Sequence, residues 1–173
     1  MTPEFSRIVE VRAIEGRDLA LTANVEECAA LARRFGLVSI DRLSADVTLD
    51  RDGTTVNAEG RLTAAYVQSC AVSGEDLPVT VDEPIKFRFV SAPDGPVSGP
   101  DEEIELEAED LDEIPYTGSQ FDIGEAVAQS LALSIDPFAT GPEAERVRSS
   151  GLLGGEPVSP FAALAALKVK KEG

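Results

Sequence analysis

The chain has no histidine and no tryptophan, and only two cysteines. Without histidine it lacks the commonest general base and metal ligand, so Ser-His-Asp and Cys-His chemistries are excluded within this chain. The two cysteines, Cys28 and Cys70, do not form a Cys-x-x-Cys pair and are too few for a cysteine-only metal site. No disulfide is expected, and both thiols should be wholly or partly buried. Aromatic residues are scarce, so the core should be aliphatic, with the seven phenylalanines as its large anchors. No run approaches the roughly 18 apolar residues of a membrane span. Residues 1–10 carry no signal-like apolar stretch. A cytoplasmic protein is expected.

Positive charge is also in deficit. Fifteen basic residues face 32 acidic ones, a formal net charge of −17. Such a chain repels phosphate backbones at long range, which argues against a nucleic-acid coat protein. A local basic patch survives this argument, because salt screens charges beyond roughly 8–10 Å.

What is present is periodicity. Residues 5–14 alternate apolar and polar and read as a strand. Asn24, with Glu27 three residues later, forms a capping box for a helix carrying Val25, Cys28, Ala29, Ala32 and Phe35 on one face, and Gly36 stands where a C′ glycine ends it. Residues 40–50, 55–68 and 77–90 alternate as three long strands. Asp52-Gly53 marks the first hairpin turn, Gly60 a bulge or a close packing partner, and Glu83-Pro84 a bend. Residues 91–100 read as a Pro/Gly/Ser loop. Asp122 caps a second helix with Glu125 at the capping-box position, and Ile123, Ala126, Val127, Leu131 and Ile135 form its core stripe before Asp136-Pro137 stops it. Residues 141–159 lack periodicity and read as a linker. Ser159 and Pro160 open a short terminal helix.

Strands in one contiguous run between helices predict an α+β fold, an antiparallel meander or open barrel-like sheet packed with two to three helices. The expected organisation is one domain over residues 1–140, a linker over 141–159 and a C-terminal helix over 160–173.

No nucleophile elbow or Walker lysine occurs, and no cofactor, metal or catalytic residue is assigned. The chain reads as a non-enzyme. Two groups of residues are candidates for binding a partner. Nine of the thirteen residues 101–113 are acidic, among them Glu103, Glu105, Glu107, Glu109 and Asp110. They read either as an acidic edge strand or as a docking patch for a basic protein. Lys86 and Arg88 alternate on one strand face and would join Arg61 in a small cationic strip able to meet RNA phosphates, or else form a solvated face.

One stretch has a family likeness. Asp122, Ile123, Glu125, Val127, Leu131, Leu133 and Pro137 match the Ile/Asp-Leu-x-Glu-x-Val-x-x-x-Leu-x-Leu-x-x-x-Pro helix of the YceD family. Ser69-Cys70-Ala71-Val72-Ser73 resembles that family's cysteine motif before a long strand, and Pro160-Phe161 with Leu164, Leu167 and Lys168 its closing element. The chain departs from the pattern at Ser73, where many members have a second cysteine, and after Pro137, which Phe138-Ala139 follow in place of a later cysteine. The resemblance implies a role in accumulation of 23S ribosomal RNA and assembly of the large ribosomal subunit, with no established enzymatic activity. Expected partners are a ribosomal or assembly protein, or rRNA through the basic strip, and no membrane. The competing reading is an acidic adaptor unrelated to the ribosome.

Overall fold

The computed structural model describes residues 3–14, 16–92 and 113–150. Strands β1 (Ile8–Glu10) and β2 (Arg17–Thr22) precede helix α1 (Val25–Phe35). Three long strands follow, β3 (Ser39–Asp52), β4 (Thr55–Ser69) and β5 (Asp76–Ser91). Strands β6 (Glu113–Tyr116) and β7 (Gln120–Asp122) lead into helices α2 (Ile123–Ser134) and α3 (Glu143–Ser149). The five-stranded sheet has the order β2-β3-β4-β5-β6, antiparallel except for the parallel β5–β6 pair. β1 and β7 form a separate antiparallel pair. The expected α+β class and central meander are observed, and among the described residues the strands do not close into a barrel.

The meander follows from the alternation along its strands. Leu43, Ala45, Val47 and Leu49 of β3, Val56, Ala58, Leu62 and Ala64 of β4, and Ile85, Phe87 and Phe89 of β5 point to one face and are buried there. Asp52 pairs with Thr55, so the hairpin turn falls at Gly53 as the Asp-Gly dipeptide predicts. Gly60 marks a close approach, not a bulge. A Cβ there would stand 2.0 Å from the Asp46 carbonyl oxygen, and the register shift lies instead between Ile40 and Arg42. β5 runs unbroken through Glu83-Pro84. The Cys70 amide donates to the Glu75 carbonyl, which fixes the hydrogen-bonding alternation of β4 and β5. Pro78 and Pro84 therefore point their nitrogens away from β4. Among the described residues β6 pairs only with Arg88–Ser91, so both prolines sit on an open edge, where a missing N–H costs nothing and discourages pairing with another chain.

α1 carries the complete expected capping box. The Asn24 side chain accepts from the Glu27 amide at 2.9 Å, the Glu27 carboxylate accepts from the Asn24 amide at 2.8 Å, and Gly36 ends the helix in the left-handed region. Its buried stripe is rotated from the expected one. Cys28, Leu31 and Ala32 are buried, whereas Val25 is 85% exposed. α2 spans the expected stripe, with Ile123, Ala126, Val127 and Leu131 buried.

Several expectations change. The first strand is three residues long and passes into a 3-10 turn at Val11–Ala13, and β2, β6 and β7 were not anticipated. Part of the stretch read as a linker forms α3, with Ala144 buried. The loop at 93–100, the acidic stretch 101–112 and the terminal helix lie outside the described residues.

β1 and β7 share the main core through Val9 and Phe121, with Phe121 stacked on Phe89 at 4.1 Å. The pair leaves two seams, where hydrogen bonding between neighbouring strands stops. One is a hollow of about 500 Å³ between β1 and β2, and the other, about 300 Å³, lies between β6 and β7. Arg7 spans the first seam. Its guanidinium donates to the Ser6 carbonyl at 2.7 Å, to the Thr22 carbonyl at 3.0 Å and to both oxygens of Glu27.

Candidate functional site

Arg61, Lys86 and Arg88 share the outer face of β4 and β5, as the alternation predicts. Lys86 lies opposite Glu59, Arg88 opposite Asn57 and Arg61 opposite Pro84. Each of the three cations has a carboxylate partner. Arg61 pairs with Asp82, Lys86 Nζ lies 2.8 Å from Glu59, and Arg88 Nε lies 3.3 Å from Glu113. Asp46 of β3 stands directly across from Arg61. The strip is thus a ladder of alternating charge on the solvent side of the sheet. Exposed pairs of this kind contribute about 0–1 kcal/mol each, so they open readily for a competing anion, but they remove the net positive potential that would steer RNA. Glu103, Glu105, Glu107, Glu109 and Asp110 lie outside the described residues.

Two arginines tie the helices to the segment before β1. Arg34 at the end of α1 donates to Glu4 at 2.9 Å and in fork geometry to both oxygens of Glu125 on α2. That hydrogen bonding holds the Glu125 carboxyl below its ordinary range. Arg7 does the same to Glu27. Asp122 caps α2 by accepting from the Glu125 amide and also takes the Arg7 amide at 2.8 Å and the Ser6 hydroxyl at 2.6 Å. The matched helix motif is thereby partly accounted for. Asp122 and Glu125 fasten the helix, and Ile123, Val127 and Leu131 fill the core.

The Cys70 turn is a feature the sequence pointed to without revealing its form. Gly74 donates to the Cys70 carbonyl, and the backbone amides of Ser73 and Gly141 both point at the Cys70 sulfur at 3.4 Å. The segment after α2 closes over this turn. Ala71 N donates to Ala139 O at 2.9 Å, Gln68 Nε2 to Asp136 O at 3.1 Å, and Glu143 N to Glu75 Oε1 at 2.9 Å. The Ser73 hydroxyl, with the Ser73 and Gly141 amides, lowers the Cys70 thiol to about 6. The hydroxyl has one proton, and the Glu75 carboxylate 3.2 Å away competes for it. Cys70 is 3% exposed, and its sulfur is an internal anchor of the turn. Cys28 lies in the core, where desolvation raises its pKa, in keeping with a small hydrophobic residue. Both cysteines are free.

Among the described residues no three acidic or cysteine side chains are grouped to hold a metal ion, and no helix is long and apolar enough to cross a membrane. A family model described as "Large ribosomal RNA subunit accumulation protein YceD" matches residues 58–168, a span that takes in most of β4, all of β5 to β7 and all of α2 and α3. No curated protein and no solved structure matches the chain.

Proposed function

The chain belongs to the YceD family, and we propose that it acts as a non-enzymatic binding protein that supports accumulation of 23S ribosomal RNA and assembly of the large ribosomal subunit. The family match carries this reading, since the description names accumulation of large-subunit ribosomal RNA. On this reading the protein works in the cytoplasm, where ribosomes assemble. The route by which it acts follows from charge. A chain of net charge −17 whose candidate basic strip is neutralised residue by residue favours a basic protein partner over bare RNA. The acidic stretch holding Glu103, Glu105 and Glu107 would add to that attraction.

The test is sedimentation of a cell lysate at low and high salt, followed by immunodetection of the chain. Migration with large-subunit precursors at low salt, lost at high salt, is the expected result. Confinement to the top of the gradient at both salts, together with normal subunit ratios in cells lacking the chain, would favour the adaptor reading.

A further inference from the structure

Of the seven matched motif positions from Asp122 to Pro137, Leu133 has no structural task. It is 88% exposed, two residues past the buried Leu131 and so on the opposite side of the helix. Five residues later Phe138 is 80% exposed, whereas Phe5, Phe87, Phe89 and Phe121 are buried. Single exposed apolar residues are ordinary. Two large ones on one short stretch, beside Pro137, ask for a cover.

The surroundings indicate its charge. Leu133 lines a shallow hollow of about 300 Å³ with Glu83, Pro84 and Lys86, and Lys86 is already paired to Glu59. Asp136 lies between Leu133 and Phe138. The Asp136 carboxylate accepts from the Phe138 amide at 2.9 Å, and Glu83 lines the hollow at Leu133. Each of the two exposed apolar side chains thus has a carboxylate beside it.

We propose that this end of α2 is a docking surface for a basic amphipathic segment of a protein partner, its apolar side chains on Leu133 and Phe138 and its lysines or arginines on Glu83 and Asp136. Apolar anchors supply affinity in such docking, and the neighbouring charges orient the approach. The inference deepens the ribosome-assembly reading, and rests on it only for the partner's identity.

The test uses the full chain and two labelled peptides of equal charge, one of alternating leucine and lysine blocks and one of lysine and serine, titrated by fluorescence anisotropy at physiological salt. The unaltered chain should bind the leucine-containing peptide at least about tenfold tighter, and the double variant Leu133→Ser with Phe138→Ser should lose that margin. Both positions are exposed, so the variant keeps its fold, which circular dichroism verifies. Equal affinity for the two peptides, or an unchanged margin in the variant, overturns the proposal. Sedimentation separates this surface from the broader function. If both the unaltered chain and the variant travel with large-subunit precursors, docking is elsewhere and the family-based role stands. If 23S levels do not depend on the chain, that role falls while the peptide margin still decides the surface.

Discussion

The two faces of the β3–β4–β5 meander are built from the same strands but obey different rules. Inward, apolar side chains from Leu43 to Phe89 interlock with α1 and α2, and each position is specified by its neighbours. Outward, Arg61 with Asp82, Lys86 with Glu59, and Arg88 with Glu113 of β6 form pairs that cancel one another and remain in water. The inner face therefore carries the fold. The outer face offers no net cationic surface, so the proposed binding role falls to the acidic stretch and the end of α2.

Adjacent residues make the contrast measurable. Leu62→Ala empties a fully buried position and should cost about 2–5 kcal/mol in denaturant unfolding. Its neighbour Arg61→Ala should change stability by no more than about 0.5 kcal/mol. Comparable losses would erase the distinction between the faces. Gly60→Ala comes next, because the added Cβ meets the backbone of β3 and strands cannot part without losing ladder bonds. A loss of about 1–3 kcal/mol is expected.

Smaller effects come from the arginine ties. Arg34→Ala should cost about 1 kcal/mol at neutral pH. Glu125 is held below its ordinary pKa by Arg34, so this contribution is full above the ordinary carboxylate pKa and fades as pH falls through the lowered one. The stability gap between the two proteins should therefore narrow as pH falls from 7 into the acid range, and a gap that stays constant would assign the loss to packing. Cys70 probes a different pH window. A thiol lowered from 9.0 to about 6 stabilises the fold fully above pH 9 and ceases to do so below about pH 6. Cys70→Ala should flatten the pH dependence of stability across that window, and an unchanged slope would mean that the sulfur is not held as a thiolate.

Much of this architecture was legible locally. The Asn24–Glu27 box, the Asp-Gly turn, the three alternating strands and the α2 stripe all signal through neighbours a few residues apart. β2 was missed because Leu19 and Leu21 are its two core-side apolar residues, too few to show a period. β6 and β7 are four and three residues long, and β7 exists by pairing with β1, Ile8 with Asp122, across more than a hundred residues. α3 has a single buried residue, Ala144, and so shows no stripe. At the candidate site, alternation correctly placed Arg61, Lys86 and Arg88 on one face, but their neutralisation depends on register with Glu59, Asp82 and Glu113. The closure over Cys70 likewise depends on Gly141, 71 residues away.

The most direct measurement is the ratio of 23S to 16S ribosomal RNA in cells lacking the chain, with and without the chain resupplied. A fall in 23S relative to 16S, restored by the full chain, is the result expected of a large-subunit accumulation factor. An unchanged ratio, with normal large-subunit levels, would contradict that role.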